Sequence, residues 1–401
     1  MANLRTRKRV VLYKVESTEG VDAAPDATNA ITCTEIDVDY PARVQEANEF
    51  LGGLGSGAPV ITGAPATARL GGNLRGSGVA ATAPRIGDLL ETAALVEVVA
   101  SAAIPTTSTT ACTGGTATTV TIDRTAGNGA DWPSQSGSLI GHPIELAGNP
   151  ATPTIDFITG YVVAGNIATV TVSTTYSPVL SSSTTIKRLP HVLYKPGSPD
   201  PHPSGTLYVY EDGRLRKAFG CRADLTLTWE GAGRGVWAAT LNGLRGGDTD
   251  TAVLSVTPEA TASPPWVGGL CAFDRKLIAA SQLTVALGNS GQDIPNPNQS
   301  EGFDAYVIGG RSVRGSVNPL LALVATRDSV AMLMAQAPKV FAAMLGKRQG
   351  GVTGGRIGLV IPQAMLTAAP HAPDGNVLRE TLSFQALGNS GTDEEFYLTF
   401  F

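Results

Sequence analysis

A chain of 401 residues can hold two or three domains, each with its own core. Charged residues make up only 16% of it, while 47 glycines, 26 prolines and abundant Thr and Ser give a composition of strands and tight turns rather than long helices. The formal net charge of -5 argues against a nucleic-acid binder, because such binding rests on Lys and Arg set against phosphate.

In chain order, "MANLRTRKRVVLYKVE" begins basic, but Lys14 and Glu16 cut off the apolar run Val10 to Tyr13, so no export signal is predicted. A strand "ITCTEIDVDYP", a polar loop "ARVQEANEFLGGLGSGAP" and a strand "ATARLGGNLRGSG" follow, then a helix in "APRIGDLLETAALVEVV" with Pro84 in its first turn. Glu91 and Glu97 interrupt "LLETAALVEVVASAAI", so no stretch reaches the roughly 18 apolar residues of a membrane span. From about Ala111 to Pro190 the chain turns to Thr, Ser and Val. There, alternation of Ile167, Thr169 and Thr171 with Ala168, Val170 and Val172 predicts a small inserted all-β domain rather than a disordered linker.

Beyond the insert, Asp212-Gly213 signals a two-residue hairpin, and Leu225, Leu227 and Trp229 alternate with polar residues to give one apolar face. The second half then repeats the order of the first. A strand "RKLIAASQLTVALG", a polar loop "NSGQDIPNPNQSEGFDAY" and a strand "GGRSVRGSVNPLLALV" precede a helix "DSVAMLMAQA", capped by Asp328 or Ser329, and strands ending "LRETLSFQALG". The reading is a mainly β chain with an internal duplication: a first domain over 1–110 and 191–250, the insert over 111–190, and a second domain over 251–401. "ALGNSG", at Ala286 to Gly291 and again at Ala386 to Gly391, reads as one strand-ending turn used twice, its Asn bonding its own backbone.

No catalytic, cofactor or metal site is expected. The four histidines, His142, His191, His202 and His371, each adjoin a proline, show no ligand spacing and read as turn residues. Cys33, Cys112, Cys221 and Cys271 fit small buried side chains in a reducing cytosol. "GGLGSG" at Gly52 to Gly57 lacks the Lys-Ser or Lys-Thr ending of a phosphate loop, and no serine sits in a G-x-S-x-G elbow. "LGKRQGG" reads as a solvated hairpin tip, and "DEE" at Asp393 to Glu395 as a charged turn.

The order of "EGFDAYVIGGRSVRGSVNPLLA", the helix after "TRDS", "LGKRQGGVTGGRIGLVIPQAML" and "DGNVLRETLSFQALGNSGTDEEFYLTF" resembles the bacteriophage tail tube (major tail) proteins over Lys276 to Phe401. "DGRLRKAFGCRADLTLTWEGA" is similar to another segment of that family, with Ala223 in place of the usual Gly. The resemblance implies two β-sandwich or barrel folds, each with a flanking helix, in a structural virion protein without enzyme activity or cofactor. Its subunits join edge to edge into rings that stack into a hollow tube. With two folds per chain, three copies would complete the family's usual ring of six, a trimer with pseudo-sixfold symmetry.

The partners so implied are further copies of the chain, a tape measure protein in the lumen, tail terminator and distal tail or baseplate proteins, and passing double-stranded DNA held without specific binding. No membrane is involved, and assembly would take place in the host cytoplasm. Long polar loops in matching places are expected to stack rings, through Arg43, Glu46, Asn48, Glu49 and Leu51 in one half and Asp293, Asn298, Glu301 and Phe303 in the other. Tube hairpins are expected at Asp212, Gly213, Arg214, Lys217, Arg222, Lys347 and Arg348. A tail terminator or baseplate ring of the same fold and a carbohydrate-binding surface β protein are the alternatives.

Overall fold

The computed structural model describes residues 5, 7–47, 57–150, 152–299, 301–350, 354–388 and 393–401. Strands take up 49% and helices 6%, so the chain is mainly β. Fourteen strands carry the frame. In the first half they are β1 (Arg9–Val15), β2 (Ala30–Ile31), β3 (Glu35–Asp39), β4 (Pro65–Asn73), β5 (Gly205–Glu211), β6 (Arg214–Glu230) and β7 (Gly235–Asp250). In the second they are β8 (Leu270–Phe273), β9 (Lys276–Leu277), β10 (Ala280–Ala286), β11 (Arg314–Pro319), β12 (Lys339–Leu345), β13 (Ile357–Ala368) and β14 (Leu382–Ala386).

Each half pairs its strands in the same spatial order, all antiparallel. The first runs β2-β1-β5-β6-β7-β4-β3, and the second β9-β8-β12-β13-β14-β11-β10. A helix lies between the fourth and fifth strands of both halves: α1 (Gly87–Thr92) and α2 (Ser329–Ala335). A small hairpin follows the third strand of both, Arg43–Gln45 with Val60–Gly63 in one half and Asn289–Gln292 with Val307–Arg311 in the other.

Local sequence explains the frame. Asp212 and Gly213 both take positive φ, 44° and 112°, the conformation a two-residue turn between β5 and β6 demands. Leu225, Leu227 and Trp229 on β6 and Trp237, Ala239 and Leu241 on β7 are buried in alternation, so the hairpin turns one apolar face to the common core. The Asp328 carboxylate accepts from the Ala331 amide at 2.8 Å to start α2, and Gln336 ends it in the left-handed region at φ 48°.

The helix predicted after Pro84 is shorter than its pattern. It stops at Thr92, and Leu95–Ala100 is a strand, because β-branched Val96, Val98 and Val99 pair with His191–Pro196. Those two strands refine the division at 191 as well. Among the described residues they pair with none of β1 to β7; Val192 to Tyr194 pair with Phe400 to Leu398 of the Tyr397–Phe400 strand, which pairs in turn with β13.

Between the two strands, a seven-stranded sheet spanning Thr110–Ala111 to Thr185–Arg188 closes over its own core, with Trp132, Ile144, Ile158 and Val170 buried. The segment joining the halves is seated too, with Val253, Leu254 and Val256 packed on Leu12, Tyr208, Tyr210 and Leu215.

Trp229 bridges the halves. It is 1% exposed, its ring centroid is 6.0 Å from that of Trp266, and its backbone pairs with Leu283 of β10. Trp229→Ala is expected to destabilise the chain by about 3–5 kcal/mol, read as a lower guanidinium midpoint. A midpoint within error of wild type would show that the two halves do not share this core.

Candidate functional site

With no cluster of catalytic side chains to build from, the candidate site is the seam between the halves. Thr226 to Glu230 of β6 pair antiparallel with Ala286 to Gln282 of β10, so the edge strand of the second half completes the exposed side of the first half's longest hairpin. Side chains fix the seam at its margins. Arg222 is 3% exposed and donates to the His202 carbonyl and Glu19 carboxylate, each at 2.7 Å, and to the Tyr306 carbonyl of the second half. Asn289 bonds across the seam as well, its amide nitrogen donating to the carbonyls of Ala93 at 2.8 Å and Ala223 at 3.0 Å.

That bonding corrects the reading of the repeated hexapeptide. Gly288 does supply the positive φ, 62°, but Asn289 reaches the other half instead of its own backbone, and residues 289–292 open a hairpin. In the second copy, residues 389–391 lie outside the described residues.

The predicted loop residues meet in part. Arg43 pairs with Asp293, and its guanidinium lies 4.3 Å over the Phe303 ring, so the two small hairpins touch. Phe303 is buried beneath it. Asn298 sits in a turn, its amide donating to the Asn296 side chain at 2.9 Å. Glu46 is exposed and Glu301 half-buried. Asn48, Glu49 and Leu51 lie outside the described residues, as do residues 52–56 of the glycine-rich stretch.

Of the hairpin candidates, Asp212 pairs with Lys8 at 3.4 Å, Arg214 pairs with Asp248, and Lys217 lies 3.3 Å from Asp22 and over the Tyr208 ring. Lys347 is exposed. Arg348 is not at a solvated tip. It donates to the Asp156 carboxylate at 3.1 Å and the Ile155 carbonyl at 2.7 Å, docking the insert onto the second half.

Asp156 is fully buried and also accepts from the hydroxyls of Ser173, Thr174 and Tyr176. Sequence reading passed over it, although a lone carboxylate in the apolar run "TIDFITGY" was the signal available. Asp156→Asn leaves Arg348 without its charge partner and should cost about 3–5 kcal/mol in insert docking, with the Arg348→Met/Asp156→Asn pair costing less than the sum. Limited proteolysis of the connections to the insert, around residues 101–110 and 189–191, reads this, and additive losses would show that the two groups act independently.

The histidine reading needs correction as well. His142 and His191, far apart in the chain, stack edge to face at 4.5 Å and are both buried, where the insert meets the frame. The Nδ1 atom of His191 donates to the Leu189 carbonyl at 2.7 Å, while Nδ1 of His142 and Nε2 of His191 have no hydrogen-bond partner. Burial, then His191, Arg188 and Lys195, push His142 well below its usual range, and burial with Arg188 lowers His191 to about 4.

Well above pH 6.5 both rings are neutral in folded and unfolded chains alike; as the pH falls through 6.5 toward 4, the unfolded chain takes up these protons before the folded one. Stability should therefore drop over that window, by up to about 1.4 kcal/mol per pH unit for each ring. His142→Gln/His191→Gln should flatten the urea midpoint between pH 7 and pH 5, and an unchanged slope would refute the assignment.

Cys112 and Cys221 are buried, Cys33 and Cys271 half-buried, and all four are free thiols pushed up by burial, Cys33 and Cys112 to about 12. Among the described residues no group of three or more His, Cys, Asp or Glu is arranged to hold a metal, and no helix is long and apolar enough to cross a membrane. No known family model matches the chain, nor does any curated protein sequence.

Proposed function

We propose that the chain is the subunit of a bacteriophage tail tube, a structural virion protein that assembles in the host cytoplasm into stacked rings around a channel for DNA. One observation carries the reading: the β6–β10 pairing joins two copies of one strand order edge to edge inside a single polypeptide. Such a junction can be repeated between chains, because β13 and β3 stand in the two halves where β6 and β10 do. Pairing of β13 with β12 ends at Ala364, and His371–Asp374 with Val377–Glu380 continues the β13–β14 hairpin as an arm, exposed as far as Leu378 and buried at Glu380. At the other end of the chain, β3 pairs only with β4 among the described residues. Setting β13 and its arm against β3 of the next copy repeats the internal seam, and each copy then has a donor and an acceptor edge, the condition for a closed ring.

Two folds per chain make a ring of six folds a trimer. Tape measure protein and double-stranded DNA would pass through its lumen without specific binding, and terminator and distal tail or baseplate proteins would cap the stack. The touching hairpins that carry Arg43, Asp293 and Phe303 are the candidates for contact between rings.

Native mass spectrometry of assembled rings should give three times the 41.2 kDa chain, whereas a sixfold mass would remove the argument from duplication. Negative-stain images should show tubes, and deletion of residues 371–380 should abolish them. Isolated closed rings would identify a terminator, and a sugar-binding monomer a surface β protein.

A further inference from the structure

The edge that this reading leaves for a neighbour is not bare. The carbonyl oxygens of Ile36 and Val38, two residues apart and so on one side of β3, accept hydrogen bonds from guanidinium groups instead of from a strand. Arg9 on β1 donates to Ile36 at 3.2 Å, and Arg216 on β6 donates to Val38 at 2.6 Å. Glu211 on β5 holds both arginines, 3.1 Å from Arg9 and 3.3 Å from Arg216. All three side chains come from strands of the same half that do not pair with β3.

The second half supplies the comparison. Counting back from the last paired residue of each edge strand, Asp39 opposite Thr67 and Ala286 opposite Arg314, Ile36 and Val38 correspond to Leu283 and Val285. Leu283 and Val285 pair with Trp229 and Leu227 of β6. One half therefore fills this edge with a strand and the other with side chains. A neighbouring strand lies about 4.7–4.9 Å away, the space the guanidinium groups occupy, so strand and arginines exclude each other.

We propose that Arg9 and Arg216, anchored by Glu211, guard the β3 edge: they keep the free chain from pairing and are displaced only when the arm of a second copy docks there. The inference rests on the ring-forming reading and adds its regulation. Unprotected edges pair indiscriminately, and positively charged side chains are a known means of blunting them. Here they satisfy the carbonyls as well as shielding them, so the free chain keeps its hydrogen bonds until a better-aligned partner arrives.

The test follows association of the full chain by light scattering and size exclusion over a concentration series, for wild type, Arg9→Met/Arg216→Met and Glu211→Gln. The double variant should associate at roughly ten-fold lower concentration, the order set by losing two hydrogen bonds, and Glu211→Gln should shift the same way by less. Should the double variant fail to fold by circular dichroism, Glu211→Gln, which keeps both arginines, decides alone. Association of all variants at the wild-type concentration would overturn the guard while leaving the ring reading intact. Variants that associate where wild type does not would support it. Wild type and variants that both stay monomeric at every concentration would overturn the ring reading and the guard together.

Discussion

Every backbone N–H and C=O that leaves water needs a partner, and in a sheet the edge strand is where that demand goes unmet. The chain answers it once internally, where β10 lies along β6. Much of the architecture follows from that contact. It buries Trp229 against Trp266, brings Tyr306 to Arg222 and Asn289 to the end of α1, and so joins two copies of one topology into a continuous core. β3 and β10 hold equivalent places in the two halves and differ in what sits on the far side, guanidinium groups against one and a strand against the other.

The insert obeys a different constraint. Its own sheet surrounds a separate core at Trp132, and it is held to the frame by a buried carboxylate paired with Arg348 and by a buried histidine pair. Neither is an economical way to gain stability, since desolvation offsets most of the attraction. Both are directional. Asp156 has ligands from three hydroxyls besides Arg348, so the insert can meet the second half in one orientation. An insert locked in this manner keeps a fixed outline against the second half.

Much of the frame was legible in the sequence because it is written in short-range signals. The Asp212-Gly213 turn, the alternation through Leu225, Leu227 and Trp229, and the Asp328 cap each depend on a few neighbouring residues. Leu95 to Ala100 misled because its apolar residues suit a helix face as well as a strand, and only the partner strand 191–196 decides. The seam itself was illegible. Which edge meets which is fixed by contacts more than 50 residues apart, as between Leu227 and Val285, and Arg222 and Arg348 look like surface charges until their remote partners are in place. His142 and His191 share the same difficulty, separated by the whole insert.

The seated linker bears on how such a chain could have arisen and why it would stay fused. Val253, Leu254 and Val256 roof the outer face of β1 and β5, covering Leu12, Tyr208 and Tyr210. A gene split at that point would leave one product with a greasy wall and the other with a loose apolar tail. Once an ancestral fold had been doubled and the joint had settled into this groove, fission would carry a solubility penalty that fusion does not. The duplication is thereby ratcheted: easy to enter and hard to leave.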